Sequence, residues 1–395
     1  MTIDARAWLV GGRRSPFGRF GGALRDVSLL DLAGQTVRAS LDALRWPVEL
    51  VDELDMGVAM VGGGLMVPAR QMAVLSGLPI DLPSLSIDRA CCSGLTAVGL
   101  ARRAVLTGSR SVIAAGAESM SNTPRLLHET RWGARRGDLV VEDLLLMRSP
   151  LTGTAIATYV GHVALEHGVS REDQDRWALQ SHERWFDAHA AGFFDGEVLT
   201  MDVPAGAFGT DEPPRRDTSI ERLAALGTVA ESPTVTAGNA PGLNDGAVAL
   251  VVASDEAVEE AGVEPLALIR GYAQLSGEAD SSAYLPGVAI DRLLREASID
   301  LSDLSVIEIN EAFAATPLVS LRRLADGDAG LERDLATITN PNGGAVALGH
   351  PVGASGARVV LTAARELERG GGRFAVAAIC GGFGQTDALL LERVV

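Results

Sequence analysis

Residues 86–119 read SIDRACCSGLTAVGLARRAVLTGSRSVIAAGAES, and the architecture of the chain can be inferred outward from them. An extended run ends at two adjacent cysteines, a helical run rich in small residues follows, and a glycine turn leads into a second extended run. The order strand, helix, strand is typical of α/β proteins. The stretch therefore predicts an α/β unit with a thiol where the first strand gives way to the helix.

A second stretch repeats this order with a longer loop. Residues 337–384 read TITNPNGGAVALGHPVGASGARVVLTAARELERGGGRFAVAAICGGFG and again place a glycine-rich turn, a helix and a strand in succession. Between the two stretches, from about Ser119 to Pro241, strand signals are few and charge is higher. We interpret the chain as two similar α/β halves separated by an inserted, largely helical lobe.

Local patterns elsewhere agree with an α/β protein. Ser28 is a predicted N-cap for a helix that runs to Leu44, and Ser170 with Asp173 predicts a capped helix that runs to about Ala191. Near-continuous apolar runs predict strands that are buried on both faces, at residues 7–10, 85–88, 111–117, 247–253, 306–309 and 374–379.

Composition limits the function. A chain of 395 residues suggests two or three domains, and a formal net charge of -17 argues against nucleic acid or an anionic membrane as the main partner. Three cysteines cannot form a disulfide framework, which favours a reducing compartment. We detect no signal peptide at the start of the chain and no apolar run of the ~20 residues that a membrane span needs, so we expect a cytoplasmic protein.

Cys91 is the first candidate for chemistry. It follows a predicted strand and precedes a predicted helix, where the helix dipole lowers the pKa of a thiol and free backbone N–H groups can bind an anion. Free cysteine is also among the most buried residue types, so a small buried hydrophobic residue is the alternative. We expect Cys92, its neighbour, to face the core.

Three further stretches carry polar or nucleophilic groups beside glycine turns or strand ends. His350 lies in the glycine-rich stretch and could accept a proton from a thiol, or simply bond a backbone carbonyl. Cys380 ends an apolar strand and enters a glycine turn. Asn310 and Glu311 follow a strand, where α/β sheets place ligand sites, although Asn310 could instead cap a helix. None of the other histidines shows metal-ligand spacing, so we predict no metal site.

Taken together, these stretches resemble the thiolase family. The resemblance covers nearly the whole chain in order, and its six motifs are CCSGL (91–95), GAESMSNTP (116–124), TAGNAPGLNDGA (236–247), NEAFA (310–314), GGAVALGHPVGASG (343–356) and CGGFG (380–384). Ketoacyl synthases share the fold but usually have histidine or asparagine where this chain has Cys380.

The resemblance implies a mechanism. His350 would take the proton of Cys91, whose thiolate attacks an acyl-CoA or a 3-oxoacyl-CoA to form an acyl-enzyme. Cys380 would move the proton at the α-carbon of the second acyl-CoA. One oxyanion would bind the backbone N–H groups of Cys91 and Gly382, and the other would bind His350 and a water held by Asn310.

The resemblance also implies a fold, a co-substrate and an assembly. We expect a thiolase-like fold of two βαβαβαββ halves in α-β-α-β-α layers, with domains at residues 1–118 plus 242–268, 119–241 and 269–395. Coenzyme A would be a co-substrate, with no tightly bound cofactor, and the chain would form a homodimer or homotetramer. Expected contacts to coenzyme A are Arg215, Arg216, Arg222, Ala237, Gly238, Ala312 and Phe313.

Three departures from the family pattern concern the site. The family usually has Asn where this chain has Asp88, whose charge would raise the pKa of Cys91 unless it pairs with Arg89 or points away. A His-Met-Gly stretch is replaced by Ala155-Ile156-Ala157, and a serine on the coenzyme A side is replaced by Pro241. These changes predict an altered pocket.

Three functions remain open at this point. The first is a thiolase-type acyl-CoA C-acyltransferase that works in condensation or in cleavage. The second is a specialised condensing enzyme for an unusual or carrier-bound acyl group, and the third is a binding protein that has lost catalysis. Cys91, His350, Cys380 and Asn310 are all present, which argues against the third.

Overall fold

The computed structural model describes residues 5–61, 65–133, 136–149 and 151–394. Its strands are β1 (Trp8–Arg14), β2 (Gly18–Arg19), β3 (Val51–Gly57), β4 (Ser84–Ile87), β5 (Ser111–Ser119), β6 (Arg125–Leu127), β7 (Val141–Asp143), β8 (Met201–Val203), β9 (Gly206–Phe208), β10 (Asn244–Ala253), β11 (Ala267–Ser276), β12 (Leu304–Ile309), β13 (Phe374–Cys380) and β14 (Gln385–Arg393).

Helices follow or connect most of these strands. They are α1 (Leu29–Leu44), α2 (Pro68–Leu75), α3 (Ser93–Leu106), α4 (Ile156–Glu166), α5 (Arg171–Ala190), α6 (Ile220–Ala224), α7 (Asp255–Ala261), α8 (Leu285–Ala297), α9 (Ala315–Leu324), α10 (Ala329–Ile338), α11 (Ala345–Leu348) and α12 (Val352–Gly370). In the part of the chain that these ranges cover, no helix combines the length and the apolar character that crossing a bilayer requires.

Two sets of strands form the large sheet. The N-terminal set has the order β1-β10-β5-β3-β4, and the C-terminal set has the order β12-β13-β14-β11. Strands β10 and β5 pair antiparallel from Asp245 opposite Ser119 to Ala253 opposite Ser111. The two sets are joined where β1 pairs with β11 through Trp8 and Leu9. The strands predicted from apolar runs are present, but the expectation of burial on both faces is wrong for β4, where Leu85 and Ser86 are exposed because β4 is the outermost strand of its set.

The layers are α-β-α-β-α. Helix α1 packs on β1 and β10 at one outer face, and α8 packs on β11 and β14 at the other. Helices α3 and α12 lie between the two sets of strands and pack against each other. Small residues allow this close approach, since a Cβ added at Gly94 would lie 2.7 Å from the carbonyl oxygen of Gly353.

Caps fix the helix starts that the sequence predicted. The Ser28 hydroxyl accepts from the Asp31 N–H at the start of α1, and Ser170 with Asp173 forms a capping box at the start of α5. Each such cap satisfies an N–H group that the helix leaves free, and removing one typically costs about 1 kcal/mol. Both predicted helices are thus confirmed.

The inserted lobe contains α4, α5 and α6, as expected, together with two small hairpins that the sequence did not indicate. Strand β6 pairs with β7, and β8 pairs with β9. The lobe is tied to the sheet by Arg14 of β1, which is fully buried and contacts Glu197 at 2.5 Å and Asp211 at 2.6 Å. Buried charges need such partners, so this triad fixes the position of the lobe.

Candidate active site

Cys91 lies in the turn between β4 and α3. The backbone turns sharply there, since Ala90 has a φ of 50°. The Asp88 carboxylate supports this turn by accepting from the Ala90 N–H at 3.0 Å. Cys92 is fully buried, and its thiol contacts the carbonyl oxygen of Ile379 at 3.4 Å. The structure therefore separates the two cysteines as predicted, with Cys92 in the core.

Asp88 does not pair with Arg89, which was the first of the two alternatives that the sequence left open. Arg89 instead forms an ion pair with the buried carboxylate of Asp387 at 2.9 Å. Asp88 is exposed and its carboxylate is engaged in the turn. The second alternative holds, because the charge of Asp88 is solvated and turned toward the backbone.

His350 lies against Cys91. The distance from His350 Nε2 to Cys91 Sγ is 3.2 Å, although the two residues are 259 positions apart in the chain. The backbone N–H of His350 donates to Asn244 Oδ1 at 2.9 Å, and Pro351 is the N-cap of α12. The imidazole is thereby held between a rigid turn and the start of a central helix.

The hydrogen bonds of Ser355 assign the tautomer of His350. The Ser355 hydroxyl donates to the Pro351 carbonyl oxygen at 2.9 Å. It can therefore accept from Nδ1–H of His350, which lies 2.6 Å away. With the proton on Nδ1, the lone pair of Nε2 faces the Cys91 thiol. No sequence pattern indicated this role for Ser355, because serine among small residues is common in a buried helix.

Burial keeps both members of the pair neutral at rest. Burial, and then the charge of Cys380, raises the pKa of the Cys91 thiol. Burial, and then the positive charge of Arg358, lowers the pKa of His350 to about 3. The expectation of a lowered thiol pKa is therefore wrong, because loss of solvation outweighs the helix terminus. The resting pair is a thiol donating to a neutral imidazole.

Cys380 and Gly382 border the same cavity as Cys91 and His350. Cys380 is the last residue of β13 and is 4% exposed. Burial raises its pKa to about 12, while its own backbone N–H and the Thr316 hydroxyl act in the opposite direction. The three residues that the sequence singled out, Cys91, His350 and Cys380, thus converge on one cavity.

Asn310 lies behind His350 and is fully buried. Its Nδ2 is 3.5 Å from His350 Nδ1, and its Oδ1 accepts from Arg358 Nη2 at 3.4 Å. Neighbouring Glu311 accepts from Trp177, Ser181, Asn340 and the Val346 N–H, which joins α5 to the segment before His350. The water-holding role expected for Asn310 stays a prediction.

The cavity has a volume of about 270 Å³ and two distinct sides. We call Cys91, His350, Cys380 and Gly382 the base. We call the lobe residues that face them the roof, namely Leu145, Leu146, Met147, Arg148, Ala155, Ile156, Ala157, Val160 and Ala230. Pro241 also lines the cavity, together with Met120, Ala240, Gly242, Leu243, Ser282, Ala312 and Phe313. Both departures that we expected to alter the pocket therefore do border it.

The expected coenzyme A contacts divide into two groups. Ala312 and Phe313 line the cavity. The others do not border it: Arg222 pairs with Asp217, Arg216 lies over the ring of Phe186 at 4.3 Å, and the Arg215 N–H donates to His182. Ala237 is exposed, and Gly238 is packed under Leu223 and Leu226. A contact between these five and a part of coenzyme A outside the cavity stays a prediction.

Arg148 is a cavity residue that the sequence did not reveal. It is exposed and donates to the Gly153 carbonyl oxygen at 3.3 Å. It also bridges to Ala155, immediately before α4. A lone arginine in an irregular segment carries no local pattern, so its place at the cavity could be found only from the fold.

Comparison with known proteins agrees with this geometry. A sequence profile of the thiolase N-terminal domain matches residues 7–256, and one of the thiolase C-terminal domain matches residues 263–393. A beta-ketoadipyl-CoA thiolase of Acinetobacter baylyi is 38% identical over 98% of this chain and 99% of that protein.

Solved structures give the same result. The crystal structure of human mitochondrial 3-ketoacyl-CoA thiolase superposes with a TM-score of 0.93 at 35% identity, covering 99% of both chains. A structure of the same human enzyme in complex with CoA also has a TM-score of 0.93, covering 99% of this chain and 98% of that one.

Proposed function

This chain belongs to the thiolase family and is a thiolase-type acyl-CoA C-acyltransferase, and we propose that its reaction proceeds through an acyl-enzyme on Cys91. The observation that carries the proposal is the 3.2 Å contact between Cys91 Sγ and His350 Nε2 at the base of the cavity. A nucleophile and a base within hydrogen-bond reach, with the base oriented by a third group, are the usual elements of covalent catalysis. Ser355 is that third group.

The first half-reaction in the cleavage direction makes the acyl-enzyme. His350 Nε2 takes the proton of Cys91 as Sγ attacks the 3-keto carbon of a 3-oxoacyl-CoA. The C2–C3 bond then breaks, and its electron pair passes to the enolate of the shorter acyl-CoA. Cys380 donates its thiol proton to that carbon and becomes a thiolate.

The second half-reaction restores the enzyme. The thiol proton of coenzyme A passes to the Cys380 thiolate, and the sulfur of coenzyme A attacks the acyl group on Cys91. Cys91 leaves as a thiolate and takes its proton back from His350. In the condensation direction the same steps run in reverse, so the cavity serves both directions.

Two groups of donors stabilise the oxyanions in this proposal. The backbone N–H groups of Cys91 and Gly382 would bind one, and His350 with a water on Asn310 would bind the other. A preorganised donor of this kind is worth about 3–4 kcal/mol of barrier. The apolar surroundings strengthen each bond, because few other dipoles compete for the charge.

The cavity favours an apolar acyl group. Within the described residues, the one formally charged residue that borders it at neutral pH is Arg148, which is exposed to solvent. A beta-ketoadipyl group ends in a carboxylate, which would lose its hydration against aliphatic side chains and has no buried cation among the lining residues. We therefore propose that this chain prefers uncharged aliphatic 3-oxoacyl-CoA, unlike the relative of that name.

A panel of substrates tests the proposal. The protein is incubated with coenzyme A and 3-oxoacyl-CoA of several chain lengths, alongside 3-oxoadipyl-CoA, and the release of acyl-CoA is followed. We expect turnover with the aliphatic series and weaker turnover with the carboxylate. No turnover with any substrate would contradict the activity, whereas preference for 3-oxoadipyl-CoA would contradict only the choice of acyl group.

Two departures from the family pattern, one in the roof and one elsewhere in the cavity lining, give a reason to keep a second candidate. Ala155–Ala157 and Pro241 depart from the family pattern and line the cavity, so a specialised condensing enzyme for an unusual or carrier-bound acyl group is the alternative. Mass spectrometry of Cys91 after exposure to acyl-CoA and acyl-carrier donors separates the two. Loading from a carrier protein alone would favour the alternative. A non-catalytic binding role would require that Cys91→Ala leaves biological activity unchanged.

We further propose a homo-oligomer in the cytoplasm, with domains at residues 1–118 plus 242–268, 119–241 and 269–395. Support for an oligomer is the outermost strand β4, whose Leu85 is 50% exposed, and nearby Ile80, which is 71% exposed. An unpaired apolar strand edge is a ready pairing site for a second copy. Free thiols at all three cysteines are consistent with a reducing compartment. Analytical ultracentrifugation, which separates monomer, dimer and tetramer, tests the assembly.

A further inference from the structure

A buried carboxylate gathers three donors close to the base of the cavity. Asp387 is fully buried on β14, and its Oδ1 accepts from Arg89 Nη2 at 2.9 Å. Its Oδ2 accepts from the hydroxyl of Thr96 at 2.5 Å and from that of Tyr272 at 2.8 Å. A buried charge needs a cation or several donors, and Asp387 has both. The proposed reaction uses none of these four side chains, so their arrangement needs an explanation.

The four side chains come from both halves of the fold. Arg89 precedes α3 and Thr96 lies within it, whereas Tyr272 is on β11 and Asp387 is on β14. Tyr272 packs directly on α3, since a Cβ added at Gly99 would lie 2.2 Å from Tyr272 Cζ. The carboxylate therefore ties the start of α3 to the C-terminal set of strands.

On the N-terminal side, the ion pair holds the turn that carries Cys91. We call residues 88–93 the nucleophile turn. The Arg89 N–H donates to Ser93 Oγ at 2.8 Å, and the Arg89 carbonyl oxygen accepts from the Cys92 N–H at 3.2 Å. These bonds make the turn a compact unit, so a contact that holds the Arg89 side chain also holds the backbone at Cys91.

On the C-terminal side, Asp387 belongs to the strand pair that ends at Cys380. It lies opposite Ile379, one residue before Cys380, where β13 pairs with β14. The turn after Cys380 is closed by a bond of its own, from the Gly381 N–H to the Gln385 carbonyl oxygen at 2.8 Å. This turn therefore keeps its shape without the ion pair, and the nucleophile turn is the part that the ion pair holds.

The two turns touch at a point where no side chain fits. A Cβ added at Gly381 would lie 2.6 Å from Cys92 Sγ and 2.8 Å from the Arg89 carbonyl oxygen. The residues next to this contact, Cys91 and Gly382, both border the cavity. Their separation thus depends on how firmly the nucleophile turn is held against Gly381.

We propose that Asp387 is a positioning residue that holds the nucleophile turn, through Arg89, against the turn that carries Cys380 and Gly382. The ion pair fixes the spacing of the Cys91 and Gly382 N–H groups, and the inference rests on the proposed function, which assigns one oxyanion to them. Such donors act fully only when they are aimed in advance at the place where the charge develops, and a misplacement of about 1 Å costs about 10²-fold in rate.

Two substitutions release the turn from opposite ends. Asp387→Asn keeps the shape, and its one oxygen can still accept from the two hydroxyls, so that its NH2 group faces Arg89 in place of the carboxylate oxygen. Arg89→Gln removes the cation at a side chain that is 25% exposed, and Asp387 keeps both hydroxyl donors. Glu332→Gln is the matched control, because it breaks a partly buried ion pair with Arg322, 3.0 Å long, and neither residue borders the cavity.

Two half-reactions provide the measurements. Acylation of Cys91 by acetyl-CoA, followed by intact-protein mass spectrometry, reports on the nucleophile turn. Exchange of the acetyl-CoA methyl protons with D2O, followed by NMR, reports on Cys380. We expect Asp387→Asn and Arg89→Gln each to slow acylation about ten- to a hundredfold, with the acetyl-CoA concentration for half-maximal rate nearly unchanged. Exchange should stay within about threefold, because the turn after Cys380 keeps its own bonds.

Stability is measured alongside, because a lost ion pair also lowers it. Both variants should melt at a lower temperature, and Glu332→Gln should lower the melting temperature slightly while both half-reactions keep their rates. The double variant Asp387→Asn/Arg89→Gln should acylate no more slowly than the slower single variant, since the two side chains form one contact. An unchanged acylation rate, or an equal loss in acylation and exchange, would overturn the proposal.

The unsubstituted protein separates this proposal from the one beneath it. If acetyl-CoA acylates Cys91 at the same rate in the unsubstituted protein and in Asp387→Asn, only the role of Asp387 is overturned. If no acyl-CoA of the substrate panel acylates Cys91, the acyl-enzyme fails, and the role of Asp387 fails with it.

Discussion

The base and the roof of the cavity obey different constraints. The base takes its residues from the ends of strands and the starts of the two central helices, and it carries two thiols and an imidazole. The roof takes mostly aliphatic side chains from an inserted lobe, where shape matters more than identity. Under the proposed function, we expect the reaction to take place at the base and the roof to select the acyl group.

The largest expected effect comes from breaking the base. Cys91→Ala should lower the rate of thiolysis by at least about 10⁴-fold, because it removes the thiol that lies against His350 and that forms the acyl-enzyme in the proposed reaction. The rate is measured with an aliphatic 3-oxoacyl-CoA and coenzyme A. Cys92→Ala is the matched control, since Cys92 is buried in the core, bonds the Ile379 carbonyl oxygen and does not line the cavity. Residual activity within tenfold of the unsubstituted protein would place the nucleophile elsewhere.

Removing the buried ion pairs that hold the lobe, and with it the roof, should lower the free energy of unfolding. Arg14→Ala leaves Glu197 and Asp211 buried without their cation, and breaking such a buried set typically costs about 3–5 kcal/mol. The free energy of unfolding is measured by denaturant titration. Arg19→Ala serves as the control, because its contact with Glu212 is exposed and 3.7 Å long, and we expect at most about 1 kcal/mol. Equal losses would mean that the triad does not anchor the lobe.

A smaller effect should follow from disturbing the orientation of the imidazole. Ser355→Ala removes the acceptor of Nδ1–H, which leaves a buried donor unpaired at a cost of about 1–3 kcal/mol and allows the other tautomer. We expect Cys91 acylation to slow by about tenfold or more, with KM nearly unchanged. The control is Ser40→Ala, a buried serine of α1 that bonds the Ala249 carbonyl oxygen. If both variants lose the same activity, Ser355 acts only through stability.

The smallest effect is expected in the roof. Ile156→Ala enlarges the cavity beside Gly382 and should shift the ratio of kcat/KM toward longer or bulkier acyl groups by about tenfold, as changes of one or two methylenes do. The ratio is measured across an aliphatic 3-oxoacyl-CoA series. Leu165→Ala on the same helix is the control, since Leu165 is 49% exposed and away from the cavity. An unchanged ratio would remove Ile156 from the acyl site.

This division also explains what the sequence could predict. The buried strands, the caps at Ser28 and Ser170, and the convergence of Cys91 with His350 follow from local pattern and from motifs whose chemistry tolerates no substitute. The predicted direction of the shift in the Cys91 pKa was wrong, because burial depends on the packing of the whole fold. The sequence left open whether Asp88 pairs with Arg89, because the actual partner of Arg89, Asp387, is 298 residues away.

Ser355 and Arg148 could not have been found from pattern alone. Ser355 is a small polar residue in a helix, and its importance comes from the imidazole that lies opposite it. Arg148 lies in an irregular segment that borders the cavity only because the lobe folds over the base. Sequence reasoning finds a group whose type is required, and it misses one whose surroundings give it a role.

The contact between α3 and α12 sets a limit on engineering this protein. Cys91 precedes one helix and His350 precedes the other, and the two backbones touch at Gly94 and Gly353 without any intervening side chain. Direct contact between the two main chains therefore sets the distance between the Cys91 sulfur and the His350 imidazole. A methyl group at residue 94 would push the two helices apart and lengthen the contact between Cys91 and His350. Changes in the lobe would not restore that distance, because the lobe is not part of the contact between the two helices.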